Sequence, residues 1–375
     1  MRTVFVFLMI FLHANAFASV SDSLIREIRS FQIKKSNEYY SSGLFPSGRI
    51  HAATFYERPD NNIFFSAIIV YTLQKHYQKL TPYQRLMTDS IASDVRRNYV
   101  SYANKDGGVT YNFWQTNPIR QFPNDPVLSR QKSLFIPDDA DDAVMIYMTS
   151  NLEKNKAVAL KDILIKNAAV TDGICRSCMP EYRHLHAYST WTGSKMPVEW
   201  DICVQSNILL FGEFFGLDLQ KEDTETEAWM CTAIKKGWVA KYPGFISPQY
   251  KSSAAIYYHL SRLLSSSERY SELKKYIPEL REQTYKAFTK SGNEVERVML
   301  AGSLIRLGMP VYFRPDTKKF RSDMKDFRFF YANMGSVAWY PFNRMLSGFK
   351  MISYEYRCDA WALTLWLEYE LLKLS

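Results

Sequence analysis

Four carboxylates fall within five residues, Asp138, Asp139, Asp141 and Asp142, with Pro137 before them and the apolar run Ala143 to Met148 directly after. Like charges a few ångströms apart repel, so burying such a cluster makes at least one carboxyl keep its proton well above the ordinary carboxylate range. The box can therefore donate a proton, hold a metal ion or cap a helix. A helix start has only a few free N–H groups, fewer than four Asp can use. One other set of residues invites metal chemistry. Cys175 and Cys178, followed by His184 and His186, suggest either a tight disulfide or a zinc knuckle, although one residue between the two His is short for a structural zinc site.

The elements that must position these groups read as helices. Six runs are apolar nearly all round, as helices surrounded by protein are: Ile63 to Tyr71, Ala143 to Met148, Ile202 to Phe211, Ala254 to Leu260, Val298 to Ile305 and Trp361 to Leu367. More polar helical stretches lie between them, at Ser21 to Tyr40, Pro82 to Tyr102, Lys156 to Asn167, Glu222 to Lys236 and Glu268 to Lys290. Val311 to Phe330, interrupted by Pro315, is the weakest helical pattern. Alternating buried and half-exposed helices, with weak strand signals, predict an all-α fold: a six-hairpin α/α toroid of two concentric helix rings. Such a ring would open its helix starts into one cavity. Arg58, the acidic box, Glu199 with Trp200 and Asp201, and Lys251 would all face it. Long loops rich in aromatic residues, carrying Trp114 and Trp191, are expected to serve function.

The chain is read as one domain over 19–375, since no Pro/Gly/Ser-rich linker divides it. Residues 1–18 read as a secretory signal peptide: Arg2, an apolar core from Val4 to Leu12, and Ala16-Phe17-Ala18 as the cleavage site. The expectation is an exported, periplasmic or extracellular protein with no transmembrane segment. The formal net charge is +9, but the basic residues are scattered, which argues against nucleic acid and leaves a mild preference for anionic ligands or surfaces.

Asp139-Ala140-Asp141-Asp142 resembles the Asp-x-Asp-Asp motif of class II terpene cyclases, and the helix pattern resembles the superfamily those enzymes share with protein prenyltransferases. The resemblance implies that Asp141 protonates an alkene or epoxide of an isoprenoid-like ligand, with Asp139 and Asp142 tuning it. Trp114, Trp191 and Trp200 would be aromatic walls that stabilise the resulting cation. The prenyltransferase side of the resemblance implies zinc at Asp201, Cys203 and His259. The Gln-and-Trp repeat of many triterpene cyclases is absent from the sequence.

Two other function classes stay open. A secreted α/α-barrel glycoside hydrolase or polysaccharide lyase would place one acid of the box opposite Glu199 or Asp201, with Arg58 receiving a substrate carboxylate. A non-catalytic toroid would bind a small molecule or glycan in its cavity, or use the box to hold a Ca²⁺ ion that ties down the long loops.

Overall fold

The computed structural model describes residues 20–168, 175–193 and 195–374; the expected signal peptide lies outside the described residues. Eleven helices of eight or more residues occur among the described residues. They are α1 (20–31), α2 (Phe64–Lys75), α3 (Pro82–Arg96), α4 (Ala140–Thr149), α5 (Lys154–Ala168), α6 (Ile202–Phe214), α7 (Lys221–Lys235), α8 (Ser253–Leu264), α9 (Ile277–Lys290), α10 (Glu294–Arg306) and α11 (Asp359–Leu372). No helix among the described residues is long and apolar enough to cross a membrane.

Each of the six apolar runs is a helix: α2, α4, α6, α8, α10 and α11. All ten residues of α4 are buried, and so are the first eleven of α6, which explains why neither shows a polar stripe. These helices pack in chain order, α2 on α4, α4 on α6, α6 on α8, α8 on α10 and α10 on α11, and α11 packs on α2. Burying one large apolar side chain contributes about 1.5–3 kcal/mol, so this shared interior is the main source of stability. Local signals set the boundaries. Thr81 and Gln84 form a reciprocal capping box ahead of Pro82, and Asp139, Asp201, Ser252 and Asn293 each accept a backbone N–H at the start of α4, α6, α8 and α10.

The all-α expectation is corrected by a four-stranded antiparallel sheet, which makes the fold mixed α/β. Its strands are β1 (Ser47–His51), β2 (Glu57–Asp60), β3 (Phe330–Asn333) and β4 (Ser353–Arg357), in the order β2-β1-β4-β3. The regular set of six helical hairpins is not what the chain forms either. Residues 103–127 run as loops without a helix, and much of 324–358 is spent on strands and turns. The physical reason is that strands of four or five residues carry little periodicity of their own. Their partners supply the stability: β1 and β4 join opposite ends of the chain, with Arg49 opposite Tyr356 and Tyr356 opposite Phe330. The last two rings stack at 4.6 Å between centroids.

Candidate functional site

One cavity of about 260 Å³ collects most of the chemistry-bearing residues. Asp139 reaches it from the cap of α4, Asp141 and Asp142 from its first turn, Phe64 from α2 and Val204 from α6. Phe330, Tyr354 and Tyr356 reach it from β3 and β4, and the long loops contribute Trp114, Phe122, Trp191 and Tyr250. The aromatic rings pack edge to face or tilted around it: Phe113 on Tyr356, Phe64 on Phe330, and Trp114 on Phe122. The outcome is an apolar chamber with carboxyls in its wall.

The acidic box separates into four different environments. Asp138 is a loop tie: its Oδ2 accepts from Asn104 Nδ2 at 2.6 Å and Thr110 Oγ1 at 2.6 Å, and its Oδ1 from Asn112 Nδ2 at 3.3 Å. Hydrogen bonds thus do the work assigned above to a Ca²⁺ ion. Asp139 caps α4 by accepting the Asp142 N–H at 2.8 Å, and its backbone bridges Tyr111 and Trp191, fastening both loops beside the cavity. Burial pushes its carboxyl up to about 7, with the neighbouring Asp charges adding to the effect.

Asp141 is held from both sides. Tyr250 Oη donates to its Oδ2 at 2.5 Å, and Asn207 Nδ2 donates to its Oδ1 at 2.5 Å. Burial raises its acid to about 6, and these two donors, helped by the Arg262 charge, keep it from rising further. Arg262 in turn donates to Asn207 Oδ1, so a chain runs from a buried guanidinium to the carboxyl.

Asp142 has no such help. Neither of its oxygens meets an N–H or hydroxyl donor, and its side-chain neighbour is the Asp139 carboxyl. Burial and the Asp139 charge push its acid well above the carboxylate range. Burial and mutual repulsion keep the two from being ionised together. The cap explanation therefore covers Asp139 alone, and Asp141 and Asp142 are buried acids beyond what the helix start uses.

The remaining expected site residues divide. Trp114 and Trp191 line the chamber, and Trp114 Nε1 donates to Asp60 at 3.1 Å. Trp200 does not line it: its ring packs on Trp229 at 5.0 Å and borders a separate, far smaller pocket. Glu199 stands behind the wall, accepting from Gln249 at 2.7 Å and from Ser336, two residues that do line the chamber. Arg58 lies off the chamber, 3.2 Å from Asp125 and over the Tyr56 ring. Lys251, whose side chain hydrogen-bonds Ser353 at 2.8 Å, is also outside the lining.

The zinc expectation does not fit. Asp201 caps α6, and its oxygens accept from Cys203 N, Val204 N, Ser247 Oγ and Gln249 N between 2.7 and 3.2 Å. His259 gives its Nδ1 to the Ala255 carbonyl at 2.8 Å and stacks on Phe329, while burial lifts the Cys203 thiol well above its ordinary value. Among the described residues no three His, Cys, Asp or Glu side chains gather as a metal site, His184 and His186 included. Cys175 and Cys178 are joined in a disulfide.

Sequence reasoning missed the sheet wall and Arg49. Arg49 is 1 % exposed and lies over the rings of Trp114, Phe122 and Tyr354 at 5.4 to 5.7 Å, with Asp60 at 3.7 Å. The alternation Tyr354, Glu355, Tyr356 was the available strand signal; nothing local marked Arg49. No family model, curated protein or solved structure matches this chain.

Proposed function

We propose that the chamber binds an isoprenoid-like, largely apolar ligand and starts its rearrangement by protonating a carbon–carbon double bond, chemistry similar to that of class II terpene cyclases. The observation that carries this reading is the placing of three buried carboxyls, one without donors, one capping α4 and one well supported, in the wall of a single aromatic chamber. A carboxyl raised to about 6 keeps its proton at mildly acidic pH and a fraction of it at neutrality. Aromatic faces stabilise the cation that follows.

Asp141 is the proton donor. Transfer breaks its O–H bond, forms a C–H bond at one alkene carbon and leaves a cation at the other, so the departing carboxylate must be supported. Tyr250 and Asn207 already donate to both Asp141 oxygens, each of which keeps a second lone pair for the proton. Asp142, without donors, would leave an unsupported carboxylate, so it serves with Asp139 as the neighbouring proton store. Loss of a proton from the rearranged cation returns the acid.

A glycosidase reading asks for a second free carboxylate across the chamber. Glu199 and Asp201, the acids available for that role, spend their oxygens on Gln249, Ser336, Ser247 and backbone N–H groups. The test is to incubate purified wild-type protein and Asp141→Asn with linear polyprenyl substrates and with polysaccharides, separating isomers by gas chromatography. Formation of cyclic or double-bond isomers by the wild type alone is expected. Sugar release, or isomer formation undiminished in Asp141→Asn, would discard the reading.

A further inference from the structure

The segment from 327 to 354 holds no acidic residue, and six of its large apolar side chains point outward. Met334, Trp339, Phe342, Met345, Phe349 and Met351 are each between 47 % and 73 % exposed, a density far above scattered surface apolar residues. Backbone bonds turn this segment, the rim, and tie its two ends together. Met334 N donates to Ile352 O, Phe342 N to Trp339 O, and Phe349 N to Leu346 O. His51 bonds the Met351 carbonyl, which brings the β1–β2 hairpin tip alongside, and that tip carries Phe55, 69 % exposed.

Basic side chains border this rim. Arg176 and Arg183 lie over the Trp339 ring at 5.2 and 5.9 Å, Lys350 lies over Phe55 at 5.9 Å, and Arg344 lies over Tyr242 at 3.8 Å. A long basic side chain next to an exposed aromatic ring suits the headgroup level of a bilayer, where the ring enters the acyl boundary and the charge meets phosphate. The same rim touches the chamber. Met334 lines it, together with Leu134 and Lys195, both of which are exposed, so the mouth opens beside the apolar face.

We infer that this rim docks the protein on an anionic lipid surface and opens the chamber toward the acyl chains. Charge complementarity selects lipid as the occupant: an apolar rim whose 327–354 segment carries no acid and which Arg and Lys border matches negative headgroups over hydrocarbon. A ligand with almost no aqueous solubility would then enter without crossing water. That last consequence rests on the apolar-ligand reading, whereas docking itself does not.

The test is flotation of the protein with vesicles of phosphatidylglycerol and phosphatidylcholine, against vesicles of phosphatidylcholine alone. Wild type is expected to float with the anionic vesicles and to be released as salt rises. Arg344→Glu/Lys350→Glu should weaken partitioning by about fivefold or more per charge. Phe342→Ser/Met345→Ser/Phe349→Ser should weaken it by about tenfold or more, because three side chains lose apolar burial. Circular dichroism checks that both variants are folded, and quenching of tryptophan fluorescence by a detergent-solubilised polyprenyl alcohol reads the chamber separately. Failure of folded wild type to float, or flotation unchanged by both variants, would overturn the inference. So would a wild-type dimer that the triple Ser variant converts to monomer without any vesicle binding, since the rim would then be a protein interface. Loss of quenching with flotation intact would count against the apolar-ligand reading alone.

Discussion

Tyr250 and Asp141 stand 109 residues apart in the chain and meet through a 2.5 Å hydrogen bond in which the phenol donates to the carboxylate. Tyr250 is fully buried, and its own proton is held well above the ordinary phenol range by burial and by the Asp141 charge. The bond therefore persists across the whole physiological pH range, and it restrains the rise that burial imposes on the Asp141 acid.

Tyr250→Phe removes that donor and leaves the ring's packing on His259 and Phe330 in place. The Asp141 acid is expected to rise above its present value of about 6, and the buried carboxyl should cost about 1–3 kcal/mol at pH 8. Infrared titration of the protonated carboxyl stretch reads the first effect, and urea unfolding the second. An unshifted titration would remove Tyr250 as the residue that tunes Asp141.

Asp142→Asn replaces an acid that lacks donors by a neutral amide able to donate to Asp139. We expect a gain in stability at pH 8, with melting raised by about 1–2 °C for each kcal/mol relieved, together with slower turnover as the proton store is lost. A melting point lowered at pH 8 would show that Asp142 is not the strained member of the box.

Stability should depend on pH in a defined direction. The folded-state acids of Asp139, Asp141 and Asp201 lie at about 7, 6 and 7, above the ordinary 3.8. A raised acid stabilises the fold when protonated, fully so below about 4, and that contribution is lost as pH rises through 6 to 7. For Asp141 alone the interval from 3.8 to about 6 is worth on the order of 3 kcal/mol. Glu368 opposes this at low pH: the Arg306 charge and His76 hold its acid down at about 2, so its contribution fades as pH falls from about 4.5 toward 2. Melting should therefore peak near pH 4 and decline toward pH 8. A curve rising steadily from pH 5 to 8 would contradict this.

Arg49→Met strands Asp60, which is fully buried and otherwise supported by Asn62 and Trp114. Breaking a buried pair from one side costs about 3–5 kcal/mol. The double variant Arg49→Met/Asp60→Asn is expected to recover most of that loss in chemical denaturation, and equal losses in single and double variants would show that Arg49 acts through packing on Trp114 and Phe122 instead.

Ligand quenching should distinguish the tryptophans. Trp114 and Trp191 line the chamber and Trp200 does not, so Trp200→Phe should leave the quenching amplitude from a soluble polyprenyl analogue nearly unchanged. Trp191→Phe should reduce it. The reverse pattern would put the ligand in the smaller pocket beside Trp229.

The helices were legible because their signal is local. Six continuous apolar runs, a Thr-x-x-Gln box before α3 and Asp, Ser or Asn at four helix starts specify where helices form without reference to anything distant. The density of the acidic box likewise announced that not all its members could be ionised. Tertiary structure decided the rest. The strands are too short to declare themselves, and β1 finds β4 only across some 300 residues of chain. Four consecutive-looking carboxylates became a loop tie, a cap, a supported acid and an unsupported one because Asn104, Asn207 and Tyr250 arrive from elsewhere. Sequence determined which groups would be costly to bury; only the fold determined which of them would receive a partner, since desolvation follows from residue type and neighbourhood but a hydrogen bond follows from position.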